Sequence, residues 1–287
     1  MSLSIRWLGA AGLEISCDGT VLLVDPFFTR PSIWAVLLLR RVEPDSDLAA
    51  RCAPRASAVL VTHPHYDHLM DVPAIMRQTG AAAYGSPNTC ALLALHGVHN
   101  SRIHCVQPGD RFAVGPFQVE VLAGRHTTTP VDRWINGPCR GDLSLPLRLV
   151  DYRMDAVYSF RIHVRSGGSE QTLLVGSSRS PGEQADVLFL SPFLSKGELQ
   201  AQLQAVQPRC LIPIHWDDFT RPLSKPMRPS LITAVQGLEG FPPVRRVDLS
   251  AFAHTAQSLQ PGLRVLVPEA FKIINGIQDD CRHPESR

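Results

Sequence analysis

Several features are missing from this 287-residue chain, and each absence removes a class of protein. Cysteines number seven (positions 17, 52, 90, 105, 139, 210 and 281) and never fall in a Cys-x-x-Cys pair. From that scatter neither a cysteine-built zinc site nor a disulfide framework is expected. The odd count, with no signal-peptide pattern at the N-terminus, points to a reducing, cytoplasmic setting. Net charge is also small, with 28 Lys plus Arg against 26 Asp plus Glu. So even a balance gives no electrostatic basis for nucleic acid as the main partner. The pairs Arg40-Arg41 and Arg245-Arg246 read as solvated surface. No apolar run is long enough to cross a bilayer. A Gly-rich phosphate loop, a Gly-x-Ser-x-Gly elbow and an internal repeat are missing as well.

What is present describes a globular chain: 44% of residues are hydrophobic and 19% charged, enough to bury a sizeable core. Short strands are predicted at Ser4–Leu8, Gly12–Cys17 and Val21–Val24, with a hairpin signal at Asp18-Gly19. Ala58–Val61 is a continuous apolar run, as in a strand buried on both faces. Helices are predicted from the Asp71 cap to Gln78 and from Ser86-Pro87 to Leu95, stopped by Gly80 and Gly97. Further strands fall at Ala81–Tyr84, Phe117–Leu122, Tyr158–Val164, Thr172–Val175, Val187–Leu190, Cys210–Ile214 and Arg264–Val267. Glu198–Val206 reads as a helix and Ser230–Leu238 as the last one. Antiparallel-looking runs first and again in the middle, with helices between, fit two sheets packed face to face with helices outside. A single domain over residues 1–275 is expected, with a loose tail from 276 to 287. Within it, residues 127–155 carry few element signals but Pro130, Trp134, Pro138 and Pro146, and read as a cover over the site.

The chemistry concentrates at Thr62-His63-Pro64-His65-Tyr66-Asp67-His68. Imidazole and carboxylate are the usual nitrogen and oxygen donors for zinc, iron or manganese. His63 and His65 point the same way if the segment is extended. Asp67 and His68 follow at once, so one pair can face one ion and the other pair a neighbouring ion. The cluster lies just beyond a buried strand, where open sheets keep their ligands. A merely histidine-rich loop is the alternative, but only eleven histidines are spread over the chain.

This cluster resembles the signature of the metallo-β-lactamase superfamily, His-x-His-x-Asp-His after a buried strand. The resemblance covers about residues 4–267 and implies a four-layer αββα sandwich. It implies a third histidine for the first metal, His126 in Gly124-Arg125-His126, and a last ligand, His215 in Leu211-Ile212-Pro213-Ile214-His215. Pro-Ile-His before an aromatic is similar to the ascorbate-6-phosphate lactonase-like branch. One element departs. Where the family has Gly-Asp, this chain has Gly176-Ser177-Ser178, so Ser177 stands at the position of the carboxylate that bridges the two metals. A neutral hydroxyl bridges cations poorly, so a functional site with weakened binding of the second metal is expected, with a single metal or a carboxylate borrowed from Asp217 or Asp218 as alternatives.

The resemblance implies one or two divalent transition metals, zinc first, with manganese or iron as alternatives. It implies a hydrolase in which a metal-bound hydroxide attacks a lactone or phosphoester small molecule, with Asp67 orienting or deprotonating the nucleophile. Two competing readings stand beside it. Ile33-Trp34-Ala35-Val36-Leu37-Leu38-Leu39 followed by Arg40-Arg41 suggests a peripheral membrane contact and a lipid phosphodiesterase of the N-acyl-phosphatidylethanolamine phospholipase type. By length alone, though, the segment reads as a short helix buried on the core. Ser177 suggests a non-catalytic metal-binding protein with a degraded second site. His96, His99, His104 and His163 read as surface, capping or strand residues, while His254, Trp134 and Trp216 are candidates for the pocket wall. The oligomeric state is left open.

Overall fold

The computed structural model describes residues 3–126, 132–176, 183–232, 245–275 and 277. Its first sheet runs in the order β1 (Ser4–Gly9), β2 (Gly12–Cys17), β3 (Thr20–Val24), β4 (Ala58–Leu60), β5 (Ala82–Gly85) and β6 (Ile103–Cys105). The first three strands are antiparallel and the rest join in parallel. The second sheet contains β7 (Arg111–Val114), β8 (Phe117–Ala123), β9 (Tyr158–Ser166), β10 (Ser169–Val175), β11 (Val187–Leu190) and β12 (Cys210–Pro213). It too is antiparallel from β7 to β10 and parallel from β10 onward. A short ribbon pairs β13 (Leu231–Ile232) with β14 (Arg245–Arg246), and β15 (Arg264–Val265) closes the second sheet beside β12.

Side-chain alternation along these strands sets the layers, because successive residues face opposite sides of a sheet. In β3, Leu22 and Val24 join the cluster between the sheets, whereas Val21 and Leu23 face outward into a second cluster. In β10, Leu173 and Val175 face inward while Leu174 joins a third cluster, and Ile212 and Leu211 of β12 divide the same way. The inner cluster packs Trp7, Leu13 and Ile15 against Phe117, Phe160 and Phe189. Over the first sheet lie α2 (Ser46–Cys52), α4 (Val72–Thr79) and α5 (Pro87–Leu95); over the second lie α7 (Lys196–Val206) and α8 (Leu249–Leu259). Two sheets with helices outside both make the four-layer αββα sandwich that the strand pattern and the resemblance imply.

Local chemistry ends the elements where the sequence suggests. Ser86 accepts a hydrogen bond from the Thr89 N–H to start α5, and Gly80 closes α4 in the left-handed region. Asp71 begins α4 but its side chain does not cap it. The carboxylate instead accepts from the Phe28 and Thr29 N–H groups and the Thr29 hydroxyl, tying α4 to the segment after β3. The structure corrects the helix expected at Ser230–Leu238. Leu231–Ile232 is strand β13, because pairing with Arg245–Arg246 overrides helical propensity, and residues 233–238 lie outside the described residues. The last helix is α8, whose Asp248 cap was the overlooked signal.

Two other expectations change. Cys90 and Cys105 are bonded, because the crossover through α5 lays that helix beside β6; the scattered spacing carries no sign of it. The segment Ile33–Leu39 is not a buried helix. Its first five residues form α1 (Ile33–Leu37), capped by Ser32, and none of them is buried. Of the expected loose tail only Ile277 among residues 276–287 is described, and its carbonyl accepts a hydrogen bond from Gln171.

Candidate metal centre

The strand β4 delivers the histidine cluster. The Val61 N–H continues the ladder to the Tyr84 carbonyl, and then Thr62 leaves the sheet. The Thr62 N–H and hydroxyl both donate to the Asp25 carboxylate, at 2.8 and 2.5 Å. His65 is extended after Pro64 and then starts the short helix α3 (Tyr66–Leu69), which carries Asp67 and His68. Two backbone regimes in one loop therefore aim four donors from six consecutive positions into the same cleft.

The other donors come from strand ends. Beyond β8, the Gly124 N–H donates to the Val157 carbonyl, and a Cβ at this glycine would lie 2.8 Å from the Tyr158 backbone. Only glycine lets the chain pass so close to β9 and bring His126 over the cluster. Beyond β12, His215 adopts a left-handed backbone with φ of 60°, uncommon for a residue with a side chain. Its N–H donates to the Ala10 carbonyl at 2.7 Å, while the Ala10 N–H donates to Asp217 at 2.9 Å. The Arg30 guanidinium completes this brace with a fully buried ion pair to Asp217 at 2.7 Å. Gly9 makes room for it, since a Cβ there would collide with the guanidinium.

All six residues singled out in the sequence converge, and they sort into two groups. Donor atoms of His63, His65 and His126 lie within 4.8 Å of one another, and so do those of Asp67, His68 and His215. The His63 and His68 rings, with centroids 3.9 Å apart, join the groups. Within the second, the Asp67 Oδ2 lies 3.0 Å from the His215 Nε2 and 3.6 Å from the His68 Nε2.

The donor set fits divalent cations. The Nε2 atoms of His63 and His65 are buried and make no hydrogen bond, although a buried ring nitrogen ordinarily has a partner. Burial, followed by the neighbouring imidazoles, holds the His63 pKa well below the usual histidine range. Burial also lowers His65, to about 4, against the opposing pull of Asp67. Both rings are therefore neutral at physiological pH and present lone pairs, the form a metal requires. In the second group, burial opposes the charge on Asp67, but His68 and the His215 hydrogen bond outweigh it and hold the carboxyl well below its ordinary value. His68 is likewise pushed down by burial, yet Asp25 and Asp67 raise it overall. The His68 Nδ1 sits 2.8 Å from Asp25 Oδ2, which leaves its Nε2 directed at the cleft. A carboxylate behind a histidine in this way fixes both tautomer and ring orientation.

Two functional candidates, Asp25 and Arg30, escaped the sequence reading. Asp25-Pro26 looks there like a strand terminator, and only its burial, with φ of 43°, marks it out. The borrowed carboxylates fare differently. Asp217 is committed to Arg30 and Ala10, and Asp218 lines the cleft but is paired with Arg228 at 2.7 Å. Neither joins the two donor groups. Ser177 and Ser178 lie outside the described residues, but Gly176 before them lines the cleft. Trp216 stacks on Trp7 in the core, whereas Trp134 lines the cleft. His163 bonds to Thr172, His99 caps a turn, His104 stacks on Tyr84, and His254 is exposed on α8 away from the cleft.

The cleft measures about 1090 Å³. From the cover segment α6 (Asp132–Ile135) contributes Trp134 and Ile135, and the later turn Leu149 and Val150. Basic residues Arg125, Arg221, Lys225 and Arg228 stand around it.

Known proteins resemble this chain along most of its length. A metal-dependent hydrolase (UPF0173) from Methylobacterium nodulans is 24% identical over 247 residues, covering 81% of this chain and 92% of that one. Another, from Methanopyrus kandleri, is 25% identical over 219 residues, covering 75% and 84%. Among solved structures, a metallo hydrolase from Ignicoccus hospitalis superposes with a TM-score of 0.55 at 14% identity, over 95% of this chain and 97% of that one. The β-lactamase superfamily domain model matches residues 20–216, a span that runs from β3 past His215 and holds all six converging residues. The chain belongs to the metallo-β-lactamase superfamily.

Proposed function

We propose that this protein is a metal-dependent hydrolase acting on a lactone or phosphoester. The observation that carries the reading is the convergence of His63, His65, His126, Asp67, His68 and His215 on two donor groups at the floor of one cleft. In this reading His63, His65 and His126 hold one divalent metal, zinc first, and Asp67, His68 and His215 hold a second more weakly. A metal there supplies Lewis acidity and lowers the pKa of a water towards neutrality. The residues do the rest. Asp67, ionised at working pH, would orient the attacking water through the carboxylate oxygen that His215 does not engage. Asp25 keeps the His68 ring in place, and the Arg30–Asp217 pair keeps His215 there. The basic residues at the mouth favour a substrate with negative charge, and the apolar walls favour one with a hydrocarbon part.

The lactone is supported by the Pro213-Ile214-His215-Trp216 sequence, and the phosphoester by Arg125, Arg221, Lys225 and Arg228. A cytoplasmic setting is supported by the free thiols of Cys17, Cys52, Cys139 and Cys210, against which stands the Cys90–Cys105 bond. A second reading, a phosphodiesterase acting on lipid, is favoured by one observation: the exposed apolar residues of α1 stand at the cleft.

The test pairs elemental analysis with turnover. Purified protein is expected to carry at least one transition metal per chain and to cleave one member of a panel of lactones, carboxylic esters and phosphodiesters. His63→Ala should remove both. A folded, active protein that holds no metal would sink the assignment.

A further inference from the structure

The surface around α1 departs most from an ordinary soluble exterior. Ile33, Trp34, Leu37, Leu38 and Leu39 are between 48% and 67% exposed, five large apolar side chains within seven residues. Isolated exposed apolar residues are normal, but a contiguous group marks a contact surface. Neither looseness nor chance orientation accounts for it. The Ser32 hydroxyl caps the helix, the Arg40 N–H donates to the Ala35 carbonyl, and Leu39 turns the chain in the left-handed region. Val36 is the inward anchor, packed with the outer core of the first sheet. The segment is a built ridge held outward.

Its place matters more than its composition. Ile33, Val36, Leu37 and Leu39 line the same cleft as the histidine cluster, together with Trp134 and Leu231, which are themselves about half exposed. Trp34 and Leu38 are not among the lining residues and stand at the outer side of the lip. A protein partner seated here would cover the mouth of the site. A lipid surface would instead feed it. Charge points the same way. Arg40 and Arg41 follow the ridge directly, Arg133 stacks on Trp134 at 4.3 Å, and Arg125, Arg221, Lys225 and Arg228 border the cleft; Arg125 and Arg228 are paired with Glu198 and Asp218, while among the described residues Arg221 and Lys225 have no carboxylate partner. Apolar side chains backed by basic residues, with a tryptophan at the tip, are the composition of an interfacial anchor.

We infer that the Ile33–Arg41 ridge docks this protein on an anionic lipid surface, with the cleft mouth at the interface, so that an amphiphile's hydrocarbon part passes from the bilayer along Ile33, Leu37 and Leu39 towards the histidines. The docking surface stands by itself; only the choice of an amphiphilic substrate rests on the hydrolase reading.

Flotation of the metal-loaded protein with vesicles separates these. Vesicles of phosphatidylcholine plus phosphatidylserine should carry the protein, and phosphatidylcholine alone should carry much less. Leu38→Asp should lower binding about tenfold and Arg40→Glu less, with added salt weakening what remains. Trp34, compared through Trp34→Phe, should give the blue shift in fluorescence on binding. Hydrolysis of a water-soluble ester should be unchanged in Leu38→Asp, which also shows that the variant folds. Folded wild-type protein that does not float with anionic vesicles overturns the proposal. So does sedimentation as a dimer that Leu38→Asp dissociates without any vesicle binding, since the ridge would then be a self-association surface. Flotation needs no turnover, so vesicle binding without hydrolysis would fault the reaction and spare the surface.

Discussion

The two donor groups sit side by side and take four of their six residues from one loop, yet they are built on different principles. His63, His65 and His126 form an all-imidazole group whose first two rings are buried, neutral and lack hydrogen-bond partners at Nε2. Asp67, His68 and His215 form a charged group whose facing atoms already pair, through the His215–Asp67 contact and Asp25 behind His68. The first group gains most from a cation, since burying unpartnered donors is costly and only a ligand relieves it. The second persists as a polar network without one. Occupancy of the two should therefore be unequal, even before the serine at position 177 is considered.

The largest test of that inequality removes a ligand from each side. His126→Ala should abolish tightly held metal and lower turnover by roughly a thousandfold or more, since no other described residue joins its donor group. His215→Ala should leave one metal per chain and a measurable fraction of the rate. Metal analysis of both variants decides the matter: equal losses would mean that the groups act as one unit.

Proton linkage draws the same line. For His65, folding lowers the pKa from 6.5 to about 4. Between those values the unfolded chain binds the extra proton, so metal-free protein should lose stability as pH falls through this window, on the order of 3 kcal/mol for this ring. His63, also lowered, adds to the same slope. His68 has the opposite sign: its folded pKa is raised, so its contribution is full below 6.5 and is lost as pH rises through the raised value. Asp67, lowered, loses its contribution only as pH drops below its ordinary value near 3.8. Thermal melting of chelator-treated protein should thus fall off towards pH 4, and His65→Gln should flatten that acid limb. An unchanged limb would place the linkage elsewhere.

Asp25 sharpens the comparison from the second side. Asp25→Asn keeps the shape but withdraws the charge facing His68 Nδ1 and the partner of the Thr62 hydroxyl. Changes behind a ligand of this kind cost about 10- to 100-fold in metal affinity or activity. The loss should appear in the weaker metal first. If titration shows the tighter metal affected equally, then Thr62, which also lies 3.1 Å from His63 Nδ1, transmits the change to both.

How much of this the sequence carried depends on distance along the chain. The six consecutive positions from His63 to His68 declare themselves because ligand spacing is local, and strand periodicity likewise revealed both sheets before their pairing. His126 and His215 needed the superfamily resemblance, since nothing nearby distinguishes a histidine after one strand end from another. Asp25 and Arg30 were beyond reach. Asp25 meets Thr62 across 37 positions and Asp217 meets Ala10 across 207, so their roles exist only once the sheets have formed. The α1 ridge failed for a related reason: apolar composition says that a surface will be covered, not whether by the chain's own core.

The smallest expected effect tests the serine. A carboxylate between the groups would add one negative charge where, among the described residues, the second donor group has only Asp67. Charge count tunes divalent-cation affinity strongly, and one added carboxylate should tighten the second metal about tenfold. Ser177→Asp is therefore expected to raise second-metal occupancy while leaving the first unchanged, read by titration into metal-free protein. Asp217 and Asp218 make the result interpretable. Both are already engaged, by Arg30 and Arg228, so neither is free to mask the substitution. Were Ser177→Asp to change nothing, position 177 would not be the bridging position, and the inequality between the groups would rest on Asp25, His68 and the buried imidazoles alone.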